Sequence, residues 1–120
     1  MKIRGKEIKF LRTVKATCQL EQECPDQNLD NLPKWLSEGT LSEQMKAGAT
    51  MIHLLNEGYE ENKKIEDPDY EPVVLSVEDI MRMDFTTFNT LLAEAYHNLM
   101  NGAQTTVETQ KSKKKVKNQE

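Results

Sequence analysis

A chain of 120 residues has room for one small domain, which excludes a multi-domain enzyme. Apolar residues make up 37% and charged residues 30%, so the core is thin, and 16 Lys and Arg against 20 Asp and Glu give a net charge of −4 that speaks against a chain-wide basic nucleic-acid binder. No apolar run nears the roughly 20 residues of a membrane span, and the Met1 to Gly5 start lacks an apolar signal stretch, so a soluble protein of the cytosol or of a virion is expected.

At the N-terminus Ile3, Ile8 and Phe10 alternate with polar residues around Arg4-Gly5-Lys6-Glu7, where Gly5 can take a positive φ; this predicts a short β-hairpin. Val14, Cys18, Leu20 and Cys24 fit a helical stripe over about 13 to 24, stopped by Pro25. Leu29, Leu32 and Leu36 with Trp35 predict a short helix within 26 to 36. Thr40-Leu41-Ser42-Glu43 has the spacing of a capping box and opens a helix whose apolar face, Leu41, Met45, Ala49, Ile52 and Leu55, runs until Gly58. Acidic residues and Pro68 and Pro72 then predict a long loop over 60 to 75, of the length that is usually functional or mobile. Ser76 caps a short helix to about Met83. Asp84 caps the last one, whose stripe is Phe85, Phe88, Leu91, Leu92, Ala95, Tyr96, Leu99 and Met100, with Gly102 as its stop.

Charge divides the chain. Residues 103 to 120 carry five lysines and two glutamates, a net of +3, while the first 102 carry 11 basic and 18 acidic side chains, a net of −7. With little apolar surface the last stretch cannot offset the entropy of ordering itself, so it reads as a disordered basic tail. The expected architecture is a small single-domain, mainly α fold over 1 to 102 with an N-terminal β-hairpin, its core including Phe10, Ile52, Leu55, Phe88, Leu92, Tyr96 and Leu99.

Candidate chemistry is sparse. Cys18 and Cys24 lie six residues apart on one helix, too far for a disulfide, and with distant His53 and His97 they do not make a zinc set. Glu94 and His97 form a single Glu-x-x-His, where a di-iron bundle needs two and further glutamates. His53 lacks a neighbouring nucleophile and reads as a boundary histidine. The chain holds no phosphate loop, dinucleotide-binding glycine pattern or nucleophile elbow, and the acidic run from Glu60 to Glu71 lacks the order of a calcium loop and reads as solvated. No enzyme and no cofactor are expected. Lys111, Lys113, Lys114, Lys115 and Lys117 could meet phosphates electrostatically but have no aromatic neighbour for base stacking. Protein-binding surface remains, with methionines able to repack against varied apolar partners; the candidates are Ile3, Phe10, Met45, Met81, Met83 and Phe85.

The Lys-Ile-x-Gly-Lys-Glu-x-x-Phe hairpin (Lys2 to Phe10), the Leu/Glu-rich helix (Cys18 to Cys24), the capped middle helix and the Ser-Val-Glu-Asp-Ile-Met start (Ser76 to Met81) resemble tail assembly chaperones of long-tailed phages and prophages of Gram-positive bacteria. The resemblance covers nearly all of residues 1 to 102. It implies a cytoplasmic protein that coats apolar helical stretches of the tape-measure protein until tail-tube subunits replace it. Such proteins often exist in short and frameshift-extended forms, and Lys113-Lys114-Lys115 is similar to the place where such frames part. A client of that shape favours a weak open oligomer, built from the hairpin edge and the Met81 to Phe88 junction. The alternative expectation is a small phage regulator or nucleic-acid accessory protein using the basic tail, and a metal enzyme using Glu94 and His97 is a remote third.

Overall fold

The computed structural model describes residues 2–3 and 5–108, with side chains up to Asn101. Strand β1 (Lys2–Ile3) pairs antiparallel with β2 (Lys6–Glu7), Lys2 opposite Glu7 and Ile3 opposite Lys6. Gly5 turns between them at φ +80°, a conformation that costs a residue without Cβ little. Five α-helices follow: α1 (Val14–Glu23), α2 (Leu32–Ser37), α3 (Leu41–Glu66), α4 (Val77–Met81) and α5 (Phe85–Glu108). The fold is thus a small, mainly α single domain with an N-terminal hairpin, as expected.

Helix starts follow the local chemistry. Thr13 accepts from the Ala16 amide to cap α1, and the Thr40 hydroxyl and Glu43 carboxylate exchange bonds with each other's backbone amides to cap α3. Ser76 accepts from the Asp79 amide, and Asp84 from Thr87. Bonds from the Thr87 hydroxyl and amide hold the Asp84 carboxyl below its ordinary pKa, so it stays charged at the positive end of α5.

Helix ends depart from the sequence-based expectation. Glycine costs only about 1 kcal/mol inside a helix, and α3 passes through Gly58 to Glu66 while α5 passes through Gly102 to Glu108. The predicted loop over 60 to 75 therefore shortens to a strap over 67–76, and residues 103–108 continue α5 instead of opening the tail. The segment 26 to 36 is two 3-10 turns (Pro25–Gln27 and Leu29–Asn31) leading into α2, because Pro33 is tolerated only in a helix's first turn. Helix α4 ends at Met81, two residues short of Met83.

Helix α3 is the axis of the domain. Leu20, Met51, Ile52, Leu55, Ile80, Leu91 and Leu99 are among the fully buried side chains around it. Thr13 lies against Gly58 while Glu23 shares a groove with Lys46 and Ala47, so α1 runs antiparallel to α3. Helix α5 approaches most closely at Gly48, where an added Cβ would stand 2.9 Å from Phe88 and 3.1 Å from Leu92. Farther along, Leu11 donates its amide to Leu55 while Asn98 donates to Phe10 and Arg12 to the Leu99 carbonyl, so later turns of both helices grip the same N-terminal segment.

Two core expectations are corrected. On α1 the buried line is Ala16, Leu20 and Cys24, and Val14 and Cys18 point to solvent. On α5 the buried line is Phe88, Leu91, Ala95 and Leu99, with Leu92 half-buried and Tyr96 exposed. In both cases the apolar sector is wider than the face its neighbours cover, and tertiary contact chooses which side of it goes inside. Phe10 is half-buried against the core.

Gly58 explains why the helix needs a glycine there: a Cβ would stand 2.5 Å from the Leu11 carbonyl oxygen, a backbone atom that cannot swing away. Gly58→Ala is expected to lower stability by about 1–3 kcal/mol through overpacking, although alanine is the better helix former by about 1 kcal/mol. Urea denaturation checks this; an unchanged or raised midpoint would mean that the Leu11 segment does not lie against α3.

Candidate functional site

Two features of α3 and α5 carry chemistry beyond packing. The first is an apolar line on α5 that the domain covers only in part. At ~3.6 residues per turn, Phe85, Leu92, Tyr96 and Met100 fall on one line, roughly a quarter turn from the buried line of Phe88, Leu91, Ala95 and Leu99. Phe85 is 63% exposed, Met100 40% and Tyr96 36%, while Leu92 between them packs against the core beside Gly48, so the line is open towards its two ends and covered in the middle. Large apolar side chains scattered singly are ordinary on a protein surface, but several aligned on one helix form a surface fitted to another helix. Leu41, at the first turn of α3, is exposed as well.

The sequence-derived interaction candidates divide by exposure. Met81 and Phe85 stand at the α4–α5 junction and are exposed, whereas Ile3, Phe10, Met45 and Met83 are half-buried and packed against the core. Tyr96, which was expected in the core, and Met100, which was expected on the apolar stripe of α5, are exposed on the same face as Phe85. Lys111, Lys113, Lys114, Lys115 and Lys117 lie outside the described residues.

The second feature is a polar ladder on α3, formed by the half-buried His53 and the fully buried Asn56 and Glu60. These side chains hold two pieces of chain that have no secondary structure of their own. The Asn56 amide donates to the Lys9 carbonyl at 3.0 Å, and its oxygen accepts from the Leu75 amide at 2.9 Å. The Leu75 carbonyl lies 2.7 Å from His53 Nδ1; a carbonyl only accepts, so the ring proton sits on Nδ1. Glu60 Oε1 accepts from the Tyr70 hydroxyl at 2.7 Å and from the Val73 amide at 3.0 Å, and Lys6 Nζ of β2 lies 3.4 Å away. Lys6 also donates to the Tyr70 oxygen at 2.7 Å. That bond raises the Lys6 ammonium above its ordinary pKa against the opposing effect of burial, and the charge of Glu60 adds a smaller push in the same direction as the bond.

Glu60 is therefore a correction to the solvated acidic run: it is fully buried, and its partners come from the strap and the hairpin. The signal was present in the sequence as Asn56 and Glu60 at i+4 and i+8 from Ile52, polar residues on the apolar line itself. What was missing was the partner set, since Lys6 and Tyr70 are 64 residues apart.

Other candidates do not come together. Glu94 and His97 are both exposed on α5, His97 with Asn101 2.6 Å from its Nε2. Among the described residues no three metal-ligating side chains gather. Cys18 and Cys24 are free thiols, and burial, then Glu23 and Glu21, raise the Cys24 thiol above its ordinary pKa, away from the reactive thiolate. A groove of about 550 Å³ beside Trp35 mixes Glu23, Glu38 and Glu43 with Lys34 and Lys46, both signs of charge with no buried polar group aimed into it. No described helix is long and apolar enough to cross a membrane. Compared with protein-family models, curated proteins and solved structures, the chain matches none.

Proposed function

We propose that this chain is a non-enzymatic tail assembly chaperone of a long-tailed phage or prophage of a Gram-positive bacterium, working in the host cytoplasm. Its clients are apolar helical segments of the tape-measure protein, and tail-tube subunits displace it. The observation that carries this proposal is the set of exposed apolar side chains Phe85, Tyr96 and Met100 on one face of α5, which offers a helical client an apolar surface. The resemblance of the hairpin, the capped helix and the Ser76 to Met81 segment adds the identity of the client.

Mechanistically, a client longer than one copy is covered by several, each held through a short apolar line. Many such contacts in series retain the client by avidity, yet each can be replaced singly. Copies stack along it as a weak open oligomer through the hairpin edge and the α4–α5 junction.

Co-expression with the tape-measure protein and the tube protein of the encoding phage, read by size-exclusion chromatography, tests the assignment. The expected result is a complex of several copies with the tape-measure protein that dissolves as tube subunits are added. A chain that elutes alone in every mixture would overturn it, and salt-sensitive DNA binding lost on removing residues 109–120 would favour the regulator instead.

A further inference from the structure

We propose that Glu60 is a latch coupling the N-terminal hairpin to the strap, so that lifting β2 from the domain releases residues 67–76 from α3. Glu60 belongs to neither piece but is bound by both. Its Oε1 gathers the Tyr70 hydroxyl and the Val73 amide from the strap, together with the Lys6 ammonium from the hairpin. Its Oε2 is buried and accepts no hydrogen bond among the described residues. Lys6 is thus the cation that makes a charged carboxylate tolerable at this depth.

A buried charge that loses its counter-ion is strongly destabilised, and the cheapest relief is to admit water. Lys6 also bonds Tyr70 of the strap directly, so its departure removes one strap contact and leaves Glu60, on which the Tyr70 hydroxyl and the Val73 amide depend, open to water from the place Lys6 vacates. The strap is otherwise held to α3 by side-chain bonds and by Leu75, and has no strand or helix of its own. The strap is the element that gives way.

The hairpin is the weaker half, anchored to the core by Ile3 and by Ile8 just after β2. Its strands are two residues each, and its cross-strand pairing is correspondingly weak. Lys6 keeps 30% of its side chain in solvent, so its contact with Glu60 can break without opening the core. A partner that pairs with the hairpin edge and pulls Lys6 outward would therefore open a segment whose Leu75 covers the middle of α3. Nothing in this coupling depends on what the α5 line binds.

Hydrogen exchange on the full chain reads the latch at the Val73 and Leu75 amides. Lys6→Met is expected to speed their exchange at least tenfold while the amides of α1 keep their wild-type protection. Lys6→Arg, which restores the cation, should hold exchange near the wild-type rate, as should Lys2→Met on the exposed side of the hairpin. In a Glu60→Gln background, where no charge is buried, adding Lys6→Met should raise strap exchange several-fold less than it does in the wild type, leaving only the loss of the Lys6 bond to Tyr70. Unchanged strap protection in Lys6→Met, an equal rise at all amides, or an undiminished Lys6→Met effect in the Glu60→Gln background would each overturn the coupling.

Discussion

Asn56→Leu is expected to be among the most damaging single substitutions in this protein, although leucine fits the volume and the surroundings are apolar. Asn56 is fully buried, and its two ends satisfy the Lys9 carbonyl and the Leu75 amide. Leucine would orphan both groups. An unsatisfied buried backbone group costs about 1–3 kcal/mol, so the pair amounts to roughly 2–6 kcal/mol, a large part of the stability of a domain this size. Asn89→Leu, on the exposed side of α5, should stay within about 0.5 kcal/mol of wild type. Denaturant titration of the two variants decides the matter. If they lose the same small amount, the carboxamide does not tie the N-terminal segment and the strap to α3.

Leu91→Ala tests the division of α5 into a covered line and an open one. Leu91 is fully buried, and its truncation leaves a cavity beside α3; such changes cost about 2–5 kcal/mol. Phe85→Ala removes a larger side chain but one that is mostly in water, and it should shift stability by no more than about 0.5 kcal/mol. Thermal unfolding of both variants gives the comparison. Similar losses would mean that Phe85 is covered in solution, by the domain itself or by a second copy.

What the sequence revealed and what it hid follow from the range of the forces involved. The capping box at Thr40 and Glu43, the cap at Ser76 and the turn at Gly5 are satisfied within three or four residues, so the local pattern determines them. Gly58 and Gly102 look like helix stops by the same local logic, yet a helix continues when packing along it outweighs the small penalty of glycine. At Gly58 the reason for the residue is a passing carbonyl 47 positions earlier, the Leu11 oxygen, which no local pattern announces.

The same distance in sequence concealed the ladder. Glu60 sits four residues from Asn56 on one helix, but the groups that make its burial possible come from Lys6 at one end of the chain and from Tyr70 and Val73 beyond the helix end. An acidic residue in an acidic run is normally solvated, and without those partners it would be. On α5 the stripe of eight apolar residues was legible, but it spans more of the helix than one neighbour can cover. The approach of α3 at Gly48 to Phe88 and Leu92 decides that Leu91, Ala95 and Leu99 go inside and that Tyr96 and Met100 do not.

The central claim is that the open line of α5 binds a client helix. Calorimetric titration of the protein with a helical, apolar segment of the tape-measure protein, repeated with a Phe85→Ser, Tyr96→Ser, Met100→Ser triple variant, tests it most directly. All three side chains are exposed, so the variant should melt within a few degrees of wild type. The expected result is saturable binding by the wild type that weakens at least tenfold in the variant. Equal binding by both proteins, or none by the wild type, would contradict the claim.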